Sequence, residues 1–89
     1  MDLLSMAGDC AMKPGVLVRT RGMSCDLYND NIIFNMTPGV NVIAGVVFDI
    51  DEIGLIIELA EDFKMQNLCK VLTPHGLGWI YPHWLEMVR

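Results

Sequence analysis

The sequence predicts an all-β fold, a small barrel of five or six short strands, and three observations carry that prediction. Short runs rich in Val, Ile, Leu and aromatic residues recur along the chain, divided by turn residues such as Lys13-Pro14-Gly15, Thr37-Pro38-Gly39 and Pro74-His75-Gly76. That is the pattern of close-set strands in a small barrel or sandwich. One run alternates clearly: Val40, Val42, Ala44, Val46 and Phe48 make an entirely apolar face with period two. The chain has 89 residues, enough for one domain and too few for two.

Element by element, residues 1–12 carry no clear period beyond a weak helical spacing of Leu3, Leu4, Met6 and Ala7, and are expected to form a flexible tail. Met12 is a second candidate for the start of the chain. The domain is expected over residues 13–89. After the Lys13-Pro14-Gly15 turn, Val16 to Thr20 alternates, with Val16 and Val18 on one face and Leu17 and Arg19 on the other. Arg21 to Asn31 is polar and reads as a long loop, followed by the β-prone run Ile32-Ile33-Phe34. Gly45, inside the Val40–Asp49 strand, predicts a bulge or sharp bend. Asp49 to Gly54 is a turn, Leu55 to Ala60 a strand, and Glu61 to Asn67 a charged connection. Leu68–Thr73 and Leu77–Tyr81 are strands on either side of the Pro74-His75-Gly76 turn. Pro82-His83-Trp84 predicts a single 3₁₀ turn before a last strand, Leu85–Val88.

Hydrophobic residues make up 53% of the chain and mean hydropathy is +0.40, above the usual share of about 45–50%. A small domain has little interior, so part of this surplus is expected at the surface, where apolar patches mark interfaces. Self-association, hence a homo-oligomer, is the expectation. Six Lys and Arg face eleven Asp and Glu, for a net charge of −5. Phosphate neutralisation by basic side chains dominates nucleic-acid affinity, so the balance disfavours such a partner. Three cysteines, Cys10, Cys25 and Cys69, are odd in number and widely spaced. They do not make a disulfide framework and suit a reducing cytoplasm. The amino terminus lacks the basic segment of a signal peptide. The longest mostly apolar run, Val40–Phe48, is far short of a membrane span, which makes the Asn35-Met36-Thr37 sequon irrelevant.

The carboxy-terminal half carries a resemblance. Gly54-Leu55-Ile56-Ile57-Glu58, Lys70-Val71-Leu72-Thr73, Gly78-Trp79-Ile80 and Leu85-Glu86, with Lys13-Pro14-Gly15-Val16-Leu17-Val18-Arg19 as first strand, resemble SH3-like barrel proteins. More narrowly they resemble small accessory proteins encoded by tailed bacteriophages. The match covers residues 13–20 and 54–88, and Val16 stands where those proteins often carry an acidic residue. Leu27-Tyr28-Asn29-Asp30 is also similar to the amino-terminal aromatic motif of signalling SH3 domains, and Gly78 to Leu85, with Pro82 and Trp84, to their carboxy-terminal turn. The paired tryptophans of the middle strand in those domains are missing. The resemblance implies the barrel and a binding role rather than catalysis.

Trp79, Tyr81 and Trp84, with Pro82, are the candidate interaction residues, since aromatic platforms give rigid contact area and clasp extended peptides. The competing reading is that Trp79 and Tyr81, on one face, plug the core. Tyr81, Pro82, Trp84 and Tyr28 are expected to line a partner-binding surface. A patch of Lys13, Arg19 and Arg21 is the basis of the alternative, a nucleic-acid-binding barrel. Asp49, Asp51 and Glu52 share a loop but lack the calcium-loop pattern. His75, His83 and the cysteines show no metal-finger spacing. A Cys69–His75 nucleophile pair lacks any sequence mark of an orienting acid or oxyanion site. No cofactor, metal or catalytic residue is expected, and the domain reads as a non-catalytic protein-interaction or assembly module.

Overall fold

The computed structural model describes residues 12–34, 41–62 and 64–88. Its elements, in chain order, are β1 (Leu17–Thr20), β2 (Cys25–Tyr28), a one-turn helix α1 (Asn31–Phe34), β3 (Ile43–Phe48), β4 (Gly54–Glu61), β5 (Asn67–Thr73), β6 (Gly76–Ile80), a 3₁₀ turn (Pro82–Trp84) and β7 (Leu85–Met87). The strands pair antiparallel in the order β3-β2-β6-β5-β4-β1-β7. Together they make one sheet curled into a half-barrel. β4, β5 and β6 form a meander, and the last strand returns to pair with the first.

Alternation sorts the side chains onto two faces. The concave face gathers Val18, Leu27, Phe48, Ile56, Cys69, Val71, Ile80 and Leu85, all at most 1% exposed. Gly78 faces Leu27 so closely that a Cβ there would overlap the leucine side chain, and the strands meet because the side chain is missing. On the convex face a second, smaller cluster forms where Ile32 of α1 covers Leu68 and Trp79, with Tyr28, Ile33, Val42, Ala60 and Tyr81 around it.

The all-β expectation holds, and the strand count of seven exceeds the five or six expected. The additional strand is β2, inside the stretch Arg21–Asn31 that reads as a long loop. Its four residues are too few to display a period, yet Leu27 is completely buried. Ile32 to Phe34 is helical rather than extended. Asn29 Oδ1 accepts the Asn31 amide at 2.8 Å, and the Ile32 and Ile33 amides turn back to the carbonyls of Asn29 and Asp30. This local turn overrides the β-propensity of two isoleucines.

The bend expected at Gly45 is present. Asp26 pairs with Val47 and Tyr28 with Ile43, so β3 inserts two extra residues opposite β2, and Gly45 sits there at φ +81°. The 3₁₀ turn at Pro82–Trp84 also stands as expected. Residues 1–11 of the expected tail, including Cys10, lie outside the described residues, as do Thr37-Pro38-Gly39 and Val40. Met12, placed in the tail by the sequence, packs against the concave core instead. Among the described residues, no helix is long and apolar enough to cross a membrane.

Candidate interaction surface

The 3₁₀ turn forms because Pro82 presets its first residue, and its amide–carbonyl bond from Trp84 to Tyr81 closes at 3.1 Å. Arg21 holds the turn from below. Its amide donates to the Trp84 carbonyl at 3.1 Å, and its Nε donates to the Leu85 carbonyl at 2.9 Å. The aromatic rings around the turn then fall into a run. Tyr28 meets Tyr81 edge-on at 6.0 Å between centroids, Tyr81 stacks on His83 at 5.8 Å, and His83 lies 4.9 Å from Trp84. These are ordinary separations for attractive aromatic pairs.

The expected surface residues divide between two depressions. Trp84, 40% exposed, and Tyr28 line a groove of about 220 Å³ with Met23, Asp26, Ile43 and Ile80. Tyr81 and Pro82 border a second, wider depression with Arg21, Met65, Gln66 and His83. His83 bridges the two through its rings on both sides. The sequence offers His83 only as a metal-ligand candidate, although its place between Tyr81 and Trp84 in one turn is a signal for this surface. Trp79 belongs to the packing: it is 2% exposed, its indole donates to Asp30 Oδ1 at 2.7 Å, and Lys70 Nζ sits 5.6 Å over its ring.

Tyr81 has a second task. Its hydroxyl donates to Asp62 Oδ2 at 2.7 Å, while Asp62 Oδ1 accepts the amides of Lys64 and Gln66 at 2.8 and 2.9 Å. This buried carboxylate fastens the β4–β5 loop, in which Met65 takes a left-handed φ of 64°. Burial raises the Asp62 carboxyl, but the bonds from Tyr81, Gln66 and Lys64 outweigh it and leave it below its ordinary value. Burial, then the Asp62 hydrogen bond and charge, push the Tyr81 hydroxyl up to about 12. The phenol therefore stays protonated and donating.

Lys13 precedes β1 and Arg21 follows it. Arg19 pairs with Glu86 at 2.6 Å, and Arg21 Nε is engaged by a main-chain carbonyl. The acidic loop is knitted into its own turn. Asp49 Oδ1 accepts from Ser24 Oγ at 2.8 Å and the Ile50 amide at 2.7 Å, which, with Ser24 foremost, lower its carboxyl. Glu52 accepts the Asp49 amide and meets His75 Nε2. Among the described residues no group of three His, Cys, Asp or Glu side chains is placed to hold a metal. Burial pushes the Cys69 thiol up to about 11, and burial followed by Asp26 raises Cys25. A nucleophilic cysteine needs the opposite shift.

No family model, no curated protein and no solved structure matches this chain.

Proposed function

We propose that this chain is a non-catalytic protein-interaction module on an SH3-like barrel, of the kind found in small accessory proteins of tailed bacteriophages, working in the cytoplasm of the host cell. The observation that carries the reading is the aromatic run Tyr28–Tyr81–His83–Trp84 laid across the 3₁₀ turn and opening on a groove with exposed Met23 and Ile43. Rigid aromatics beside a concave apolar strip are the usual anchors of protein interfaces. The SH3-like assignment rests on connectivity: a 3₁₀ turn joins the β4–β5–β6 meander to a last strand that pairs with the first, and the β2–β3 hairpin is inserted after β1. The raised thiols and the hydrogen-bonded acids support a binding role over a catalytic one.

Immobilised full-length protein should capture the same few proteins from host lysate with and without nuclease treatment. Trp84→Ala should weaken that capture by at least about tenfold, as truncation of an interface tryptophan does, and leave the fold unchanged because Trp84 is exposed. Capture that vanishes after nuclease treatment would instead assign the protein to nucleic-acid binding, through Lys13, Arg19 and Arg21.

A further inference from the structure

The registers of four strand pairs place five apolar side chains in one line across the convex face. Leu17 lies opposite Leu55, Leu55 opposite Leu72, and Leu72 opposite Leu77. On the other side the Val88 amide donates to the Leu17 carbonyl at 3.0 Å, carrying the line one strand further. Each of these positions alternates with a concave-face residue: Val18, Ile56, Val71 and Gly78 are buried where their neighbours in the line are not. Leu17, Leu72 and Leu77 are 43–47% exposed, and Ile53, at 44%, extends the strip from just before the start of β4. Together they present on the order of 300 Å² of hydrocarbon, the size of the largest apolar patch on a small monomer, which is often functional.

We infer that this leucine row is the interface of a symmetric homodimer, with the convex face of a second copy as its occupant. Two observations select a second copy. First, the charges on the two flanks of the row are matched: Arg19 pairs with Glu86 on one, and Glu58 lies opposite Lys70 on the other. Of the carboxylates at its ends, Asp30, which shares a depression with Leu77 and Lys70, accepts the Trp79 indole, and Glu52, next to Ile53, meets His75. Asp26 lies on β2, Asp49 and Asp51 in the β3–β4 turn, and Glu61 and Asp62 at the far end of β4. A chain of net charge −5 can thus meet its own copy through a face whose bordering carboxylates each have a donor or an opposite charge beside them. Second, the area fits. A standard interface buries about 800 Å² per partner, a little over half of it apolar, and the row with Leu55, Val88 and the hydrocarbon stems of Lys70 and Arg19 supplies that core. A straight row is self-complementary about a two-fold axis through its middle, as two sheets packed face to face require.

Sedimentation of the full chain up to about 100 μM, a concentration that captures interfaces of micromolar affinity, is the test. The wild-type protein should sediment at twice its 10.0 kDa chain mass. Leu72→Glu sets two carboxylates near the axis and should raise the dimer dissociation constant at least about 100-fold, and the milder Leu72→Gln should raise it less. Both variants should keep the wild-type far-ultraviolet circular dichroism, and Trp84→Ala should dimerise like the wild type. A wild-type chain that stays monomeric would overturn the inference. So would a dimer that survives a folded Leu72→Glu, or one that Trp84→Ala dissociates.

Discussion

The two halves of the convex face are built from the same strands and differ in one element. On β6, Trp79 is 2% exposed and Leu77, two residues earlier, 43%. On β5, Leu68 is fully buried and Leu72 is 45% exposed, with Lys70 between them. What separates the halves is α1, whose Ile32 covers Trp79 and Leu68 and stops short of the leucines. Both halves carry large apolar residues at outward positions, so outward alternation alone does not make a position polar. One half is closed by the chain's own α1, through Ile32 and Ile33, and the other is left open.

Substitution on the two halves should therefore have unequal effects on the fold. Trp79→Ala, in the covered half, removes a packed indole and its bond to Asp30 and should cost about 3–5 kcal/mol in urea unfolding. A cost below about 1 kcal/mol would mean that α1 is not closed over the sheet. At the margin of that half, Asp62→Asn should cost about 1–3 kcal/mol at neutral pH, since it weakens the charged bonds that hold Tyr81 and the β4–β5 loop. Asp62 titrates below its ordinary value in the folded chain. Its stabilising share is complete above the unfolded carboxylate value near ~4 and is lost as pH falls through the lower, folded value. Acid unfolding followed by circular dichroism should thus be shallower in Asp62→Asn than in the wild type, with Asp49, lowered in the same sense, supplying some of the remaining slope. In the uncovered half, Leu72→Gln should change the stability of the dilute, monomeric chain by no more than about 0.5 kcal/mol. A larger loss would place Leu72 in the covered class and blur the distinction.

Legibility in the sequence follows the same division between local and distant causes. The β3 strand, the turns at Lys13-Pro14-Gly15 and Pro74-His75-Gly76, the bend at Gly45 and the 3₁₀ turn at Pro82 were readable because each depends on a few adjacent residues. The bend, however, parts the apolar face expected on β3, sending Val46 and Phe48 to the concave core and Val42 to the convex cluster. β2 was not, since Cys25–Tyr28 shows its strand character only through Leu27 packing on Gly78, some fifty positions away. α1 was misread because Asn29 and Asp30 start a turn that the β-branched residues after them conceal. Tyr28, Tyr81, Pro82 and Trp84 could be named from the sequence, but not which of them share a depression. Tyr81 is tied to Asp62 on another strand, and a Tyr81→Ala variant would report on the β4–β5 loop as much as on a partner. The leucine row illustrates the limit most plainly: Leu17, Leu55, Leu72 and Leu77 have no sequence spacing in common, and only strand register aligns them.

The bulge in β3 has a consequence for how copies of this chain can meet. β3 is one of the two outer strands of the sheet and β7, with three residues, is the other. An outer strand offers free amides and carbonyls on which further strands can grow, the first step toward fibrils. In β3 the two inserted residues and the left-handed Gly45 break the even spacing of those groups half-way along, so an incoming strand finds no continuous template. β7 is too short to provide one. Among the described residues neither outer strand thus offers an unbroken template for strand addition, so any contact between copies falls to side chains on the faces of the sheet.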